Sequence, residues 1–145
     1  EQYFQRFPQI QAFTQSILEE ARARGFVRTL LGRKRYMPEL HSANRNERLA
    51  AERAAINMPF QGTAADIMKL AMIRVHRQLP TLEPAARMLL QVHDELLLET
   101  PDTREGIAAV AEAVRAEMES AYPLRVPLTV DAKVGVNWRD MEPVG

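Results

Sequence analysis

The chain of 145 residues contains no cysteine, which excludes disulfide bonds and metal sites built on thiolates. It also lacks any apolar run of the ~20 residues that a membrane-spanning helix needs. Its first residues carry neither the basic stretch nor the apolar stretch of a secretory signal. These absences favour a cytoplasmic protein with no membrane partner. The chain does not begin with methionine, so we expect the natural polypeptide to start upstream of Glu1.

Two catalytic motifs are also absent, and each absence removes a class of enzyme. No pair of histidines has the spacing of a zinc-protease helix, and no glycine-rich phosphate loop occurs. His41 and His76 are therefore assigned to structure or to the surface. The chain does contain an apolar share of 46%, which is enough for the core of one ordinary domain.

The net charge of zero conceals an uneven distribution of charge along the chain. Between Arg22 and Arg53 there are nine basic and three acidic residues, a local charge of +6, so the remainder carries −6. A basic block inside a neutral chain indicates a local contact with a polyanion. An ordinary solvated surface is the alternative that composition leaves open.

The first third of the chain predicts a helix followed by a small hairpin. Apolar residues at helical spacing predict a helix over residues 1–24, beginning with Tyr3 on its apolar face and ended by Gly25. Pro8 either bends this helix or marks its true start. Residues 26–31 alternate like a strand, Gly32-Arg33 forms a turn, and residues 34–37 return as a second strand.

The rest of the chain alternates between helical and strand patterns. We expect helices over residues 42–56, 61–79 and 103–121, strands over 87–92 and 95–100, and a strand with one buried face over 128–136. Pro59 separates the first two of these helices, and Ser42 or Asn44 caps the first. The predicted fold class is α+β, with an antiparallel sheet covered by helices and preceded by a long helix and a small basic hairpin.

The most informative segment is Gln91-Val92-His93-Asp94-Glu95, which lies between two apolar runs. Adjacent carboxylates at such a place are costly unless solvent reaches them or a ligand binds them. Mg²⁺ prefers oxygen ligands and commonly takes one or two carboxylates together with substrate phosphates. Neighbouring strand residues point to opposite faces, so we expect Asp94 to bind metal and Glu95 to assist. A hairpin whose turn is simply polar is the alternative.

A second polar feature is the row formed by Arg53, Asn57 and Gln61, which lie four residues apart. Donors and acceptors in such a row suit the minor groove of a duplex, where every base pair presents acceptors at similar positions. The row would test base-pair geometry without selecting a sequence. The alternative is an ordinary polar helix face, and a break at Pro59 means that the row need not be straight.

The small hairpin carries three consecutive cations, Arg33, Lys34 and Arg35, between Gly32 and Tyr36. Arginine and lysine give affinity for nucleic-acid phosphates without sequence choice. The motif by itself is weak, and a solvated hairpin remains the alternative.

These segments together resemble the C-terminal part of the family A, DNA polymerase I-like, DNA polymerases. The resemblance covers residues 3–138 and is strongest over residues 53–66 and over Gln91-Val92-His93-Asp94-Glu95. It implies that Asp94 is the metal-binding catalytic aspartate, that Glu95 supports the metal site, and that His93 lies near the primer terminus. By the same resemblance Arg53, Asn57, Gln61 and Gln91 contact primer-template DNA, and the basic hairpin faces the template. For Asp66, five residues after Gln61, we expect a structural role.

The resemblance also implies that the chain contains only part of a polymerase. Residues 1–46 would be the end of the fingers and residues 47–145 the palm subdomain, with deoxynucleoside triphosphates as substrates and two Mg²⁺ ions as cofactors. The family's other palm aspartate motif and its nucleotide-binding fingers helix lie upstream, in a missing N-terminal part of the same polypeptide. We therefore expect the isolated chain to be inactive in DNA synthesis.

Two other functions remain open. One is a non-catalytic module, derived from a polymerase palm, that only grips duplex DNA in a salt-sensitive manner. The other is a metal phosphohydrolase built on His93 and Asp94, which would need further histidines placed to complete the metal shell. His41 and His76 show no such pattern.

Overall fold

The computed structural model describes residues 5–144, which alternate between helices and short antiparallel strand pairs. In chain order the elements are α1 (Pro8–Arg24), β1 (Phe26–Arg28), β2 (Lys34–Tyr36), a 3-10 helix (Pro38–His41), α2 (Arg45–Leu82), β3 (Arg87–Val92), β4 (Glu95–Glu99), α3 (Arg104–Glu119), β5 (Lys133–Val134) and β6 (Glu142–Pro143). This confirms the α+β class. In the described residues the strands form three separate two-stranded antiparallel sheets. No helix in this part of the chain is both long and apolar enough to cross a membrane.

The chain divides into two compact units, Glu1–Asp66 and Ile67–Gly145. The predicted boundary between a fingers segment and a palm subdomain, at residues 46 and 47, is an assignment by function and stays a prediction. The part of the first predicted helix that contains Glu1 and Tyr3 lies outside the described residues.

Helix α1 starts and stops where its proline and glycine allow. Pro8 occupies the first turn, where its missing N–H costs nothing, so it marks the start of α1. Gly25 follows the helix with φ 75°, and its N–H bonds to the carbonyl of Ala21 at 2.8 Å. A left-handed residue at this position favours glycine, and the predicted stop is confirmed.

The two helices predicted around Pro59 are a single helix, α2, so the predicted break is wrong. Pro59 has no N–H for the carbonyl of Ala55, a defect that costs about 3 kcal/mol in a helix interior. Tertiary packing outweighs this cost, because Ala55 and Met58 are buried together with Ile17 of α1. Helix α2 begins at Arg45, three residues later than predicted, and Asn44 is the cap of the two that were predicted, since its side chain accepts the N–H of Asn46 at 2.9 Å.

In the second unit, a hairpin and a helix cover the final turns of α2. Val75 and Leu79 of α2 are buried with Ala86 and Val110, and the inner side chains of β3, β4 and α3 pack against this cluster: Met88, Leu96, Leu98, Val114 and Met118. Thr103 caps α3, where its hydroxyl accepts the N–H of Gly106. The predicted hairpin and the predicted helix are both confirmed.

The strand predicted over residues 128–136 is wrong in length, because only Lys133–Val134 forms a ladder, with Glu142–Pro143. Just before this ladder, side chains of helix α3 form hydrogen bonds with the backbone of Val130. Arg115 Nε donates to the Val130 carbonyl at 3.2 Å, and the Val130 N–H donates to Glu119 at 2.9 Å. Alternating side chains predict the two faces of a strand, whereas a strand also requires a neighbouring strand to accept its hydrogen bonds.

Candidate nucleic-acid interface and carboxylate hairpin

The polar row of the first unit lies on one uninterrupted helix. Because α2 continues through Pro59, the helical spacing of Arg53, Asn57 and Gln61 places their side chains on one face. All three residues are exposed, and in the described part of the chain none has an ion pair or side-chain hydrogen bond. Their donors and acceptors are therefore available to a ligand.

The basic hairpin, β1 and β2 with the loop of residues 29–33, presents its cations in different ways. Lys34 Nζ lies 4.5 Å from the centre of the Phe26 ring, and Phe26 meets Tyr36 edge to face at 5.9 Å. Arg35 is exposed and has no ion pair with any described residue. Exposed cations beside aromatic rings are compatible with a phosphate backbone passing over the hairpin.

Arg33 differs from Lys34 and Arg35 because its guanidinium already contacts other residues of the protein. Its Nε lies 2.8 Å from Asp66 Oδ1, and its Nη2 donates to the carbonyl of Gly62 at 3.1 Å. Asp66 is buried, with 11% of its side chain exposed, and its Oδ2 has no hydrogen-bond partner. The predicted structural role of Asp66 thus takes the form of an ion pair to the basic hairpin.

The contacts by which the hairpin loop packs on α2 are not evident from the sequence pattern. Thr29 is buried, and the N–H of Leu30 donates to Thr63 Oγ1 at 2.9 Å. A Cβ on Gly62 would lie 2.7 Å from Cγ2 of Thr29, so glycine permits this close approach. The available signal was Asp66 itself, an acid among small and apolar helix residues, which needs a cation when it is buried.

The carboxylate hairpin of the second unit, β3 and β4, ends in a two-residue turn. Val92 pairs with Glu95, so His93 and Asp94 are the turn residues and Glu95 begins β4. His93 has φ 55°, a left-handed conformation that histidine adopts more often than most residues. The side-chain amide of Gln91 donates to the carbonyl of His93 and ties the turn to β3.

The carboxylate of the turn, Asp94, and that of the adjoining Glu95 are exposed to solvent. His93, Asp94 and Glu95 are all exposed, and within the described residues neither acid has an ion pair or hydrogen bond from a side chain. Below the turn, the inner side chains of the strands pack on the core, whereas Leu89 and Leu90 are half exposed. The strands are thus anchored while both acids face water.

The donor set fits part of a magnesium site. Two exposed carboxylates on a short turn match the one or two protein carboxylates that Mg²⁺ commonly takes alongside phosphate oxygens. Among residues 5–144 no group of three potential metal ligands comes together. The hairpin therefore offers a pair of oxygen ligands rather than a closed protein cage.

Comparison with known proteins assigns the family. The model of the family described as DNA polymerase family A matches residues 1–140. The chain belongs to DNA polymerase family A. The sequence is 55% identical over 139 residues to the thermostable DNA polymerase I of Thermus thermophilus, and 53% identical over 139 residues to DNA polymerase I of Mycobacterium leprae. These alignments cover 95% of this chain but only 16% and 15% of those polymerases.

A solved structure is similar to most of this chain. The POL domain of Pol1 from M. smegmatis, in a complex with DNA primer-template and dNTP, superposes with a TM-score of 0.81 at 49% identity. The match covers 88% of this chain and 22% of that one. The family resemblance predicted from the two motif segments is therefore confirmed.

Proposed function

We propose that this chain forms the end of the fingers and the palm of a template-directed DNA polymerase of the cytoplasm. The reaction is attack of a primer 3′-hydroxyl on the α-phosphate of a deoxynucleoside triphosphate, which releases pyrophosphate. The observation that carries the proposal is the turn of the carboxylate hairpin, where Asp94 and Glu95 are exposed and engaged by no described side chain. Family membership and likeness to a polymerase bound to primer-template and dNTP support it.

In this proposal the carboxylate hairpin holds catalytic Mg²⁺ beside the primer end. Asp94 supplies the principal carboxylate, Glu95 assists, and further carboxylates come from a part of the polypeptide upstream. The chemistry that Mg²⁺ supplies in such sites is to offset negative charge on the attacking and leaving oxygens. His93 supports the primer terminus, and Gln91 keeps the turn in position as it contacts the DNA.

The first unit grips the primer-template. Arg53, Asn57 and Gln61 form an exposed row that meets acceptors in the minor groove at any sequence. Lys34 and Arg35, which have no acid partner among the described residues, add the electrostatic attraction to phosphates that any template offers. Such a combination suits an enzyme that must bind every sequence and test the shape of each new pair.

Asp94→Asn tests the catalytic assignment in a polymerase that carries this segment. The substitution keeps the shape of the side chain and removes its charge, so we expect synthesis to fall by roughly 1,000-fold, equivalent to about 4 kcal/mol of transition-state stabilisation. Primer-template binding should stay within about twofold, since the change removes no cation that binds phosphate. Glu99→Gln, an exposed acid at the far end of β4, is the matched control and should leave synthesis unchanged.

A second experiment tests the proposal that the isolated chain is inactive. A carboxylate pair alone does not hold two divalent ions and a triphosphate, so primer extension by the purified chain with Mg²⁺ and four nucleotides should stay at background. Extension above that of the Asp94→Asn chain would show that residues 1–145 suffice for synthesis.

The exposed cations of the first unit also favour a second candidate, a non-catalytic module that grips duplex DNA. Lys34, Arg35 and Arg53 have no acid partner among the described residues, so they serve binding whether or not catalysis occurs. One experiment distinguishes the polymerase segment from the non-catalytic module. If Asp94→Asn leaves synthesis by the complete polymerase intact, the module is the better assignment.

A further inference from the structure

The loop of the basic hairpin packs on α2 through contacts with residues 62–66, all of which belong to the first unit. Thr29 is 3% exposed and packs against Gly62, while the Leu30 N–H donates to Thr63 Oγ1 at 2.9 Å. Arg33 follows in the same loop. The loop thus meets the helix turns directly after Gln61, the last residue of the polar row.

Arg33 completes this attachment with one of the two edges of its guanidinium that can bind a phosphate. Nε contacts Asp66 at 2.8 Å and Nη2 contacts the Gly62 carbonyl at 3.1 Å. The Arg33 N–H also donates to Thr29 Oγ1 at 3.1 Å. Bidentate binding of a phosphate uses two neighbouring N–H groups of the guanidinium fork, and here the protein occupies the Nε and Nη2 pair.

Burial makes the ion pair expensive to give up. Asp66 Oδ2 has no hydrogen-bond partner within the described residues, so loss of Arg33 would leave a buried carboxylate without its cation. Release of Arg33 to a phosphate would therefore cost more than recruitment of Lys34 or Arg35, which have no acid partner among the described residues.

We propose that Arg33 is a positioning residue for DNA binding, and that its ion pair with Asp66 holds the basic hairpin on α2. The pair sets the place of Lys34 and Arg35 relative to the polar row, so that phosphate contacts and minor-groove contacts are made together. This role rests on the proposed function, because it assumes that the first unit binds primer-template DNA.

The direction in which Asp66→Asn changes the affinity for DNA distinguishes a positioning role of Arg33 from a direct phosphate contact. If Arg33 contacts phosphate directly, Asp66→Asn removes a competing negative charge, and DNA binding becomes tighter or stays unchanged. If the pair positions the hairpin, the same change weakens binding although the protein becomes more positive. We expect a loss of roughly fivefold for Asp66→Asn, a similar loss for Arg33→Ala, and no further loss in the double variant.

The measurement is fluorescence anisotropy of a labelled primer-template duplex titrated with the 145-residue chain at several salt concentrations. Lys34→Ala is the matched control for a direct phosphate contact and should reduce the slope of log K against log salt by about 0.9. A wild-type chain that fails to bind the duplex overturns the proposed function and this role with it. A wild-type chain that binds, with Asp66→Asn equal or tighter, overturns the positioning role alone.

An uncharged variant keeps the test decisive if Asp66→Asn does not fold. Thr63→Ala removes the acceptor of the Leu30 N–H without changing any charge, and Thr63→Ser retains it. The positioning role predicts weaker DNA binding for Thr63→Ala and near-normal binding for Thr63→Ser. Equal binding by both variants would contradict it.

Discussion

The two hairpins of this chain use their charged residues in opposite ways. The basic hairpin has a five-residue connection, and the protein turns Arg33 inward to a buried acid at 2.8 Å. The carboxylate hairpin has a two-residue turn, and there Asp94 and the adjoining Glu95 face water without a described partner. A charge that holds the fold together is thus found beside a helix, and charges that are left for a ligand lie at the tip of a turn.

Desolvation explains the difference. A buried carboxylate needs a cation or hydrogen bonds to offset the loss of water, whereas an exposed one keeps its hydration and remains free to exchange water for a ligand. Asp66 and Asp94 are the same residue type in these two environments, so they can be compared directly.

The largest expected effect is on stability and separates these two aspartates. Asp66→Ala should lower the free energy of unfolding by about 2 kcal/mol, because it removes a buried side chain and leaves Arg33 without its acid partner. Asp94→Ala should change it by about 0.5 kcal/mol or less, since its side chain contacts nothing that holds the fold. Urea unfolding followed by circular dichroism measures both values. Equal losses in the two variants would remove the distinction between the hairpins.

A smaller effect is expected from closing the space between the basic hairpin and α2. Gly62→Ala puts a methyl group 2.7 Å from Thr29 Cγ2, so we expect a net loss of about 1 kcal/mol despite the better helix propensity of alanine. Adding Thr29→Ser removes the opposing methyl and keeps the hydroxyl that accepts the Arg33 N–H. The double variant should therefore recover most of the loss in the same urea experiment. Further destabilisation instead of recovery would show that the two groups do not compete for space.

The smallest effect concerns Asp140. Its side chain is exposed, like that of Asp94, but it accepts hydrogen bonds from neighbouring side chains. Hydrogen bonds from the side chain of Asn137, at 2.9 Å, and then from Arg139 hold the pKa of Asp140 below its ordinary value. A lowered pKa means that these bonds stabilise the fold above the ordinary pKa of an aspartate and that the contribution disappears as the pH falls through the lowered pKa. Asn137→Ala should raise the pKa of Asp140, and Arg139→Ala should raise it less. Carboxyl NMR titration measures both changes, and a larger rise in the Arg139 variant would reverse the assignment of causes.

Local chemistry made several features predictable from residue types alone. Gly25 ends α1 because glycine accepts a positive φ, and Pro8 starts it because the first turn needs no N–H. The carboxylate hairpin followed from two apolar runs around a polar turn, and the helix predicted from Thr103 begins at Arg104, with Thr103 as its cap. Each of these features depends on neighbours within a few residues.

Packing between distant segments decided the features that residue types and spacing do not predict. Helix α2 continues through Pro59 because α1 packs on both sides of the proline. Ala55 and Met58, before it, are buried with Ile17, and Phe60, after it, meets Phe13 edge to face, a stabilisation larger than the defect at one carbonyl. Residues 128–132 are not a strand, since helix α3 rather than another strand provides the hydrogen bonds of Val130.

By itself the sequence determined the family, the α+β class and the residues that offer oxygen ligands and cations, because these depend on residue identity and short-range spacing. Only the tertiary structure decided which charges remain available. Arg33, Lys34 and Arg35 are consecutive and chemically alike, yet only Arg33 lies within reach of Asp66, 33 positions further along the chain. Long-range contacts set the desolvation of each charge, and desolvation decides whether a charge stabilises the fold or is free to bind a ligand.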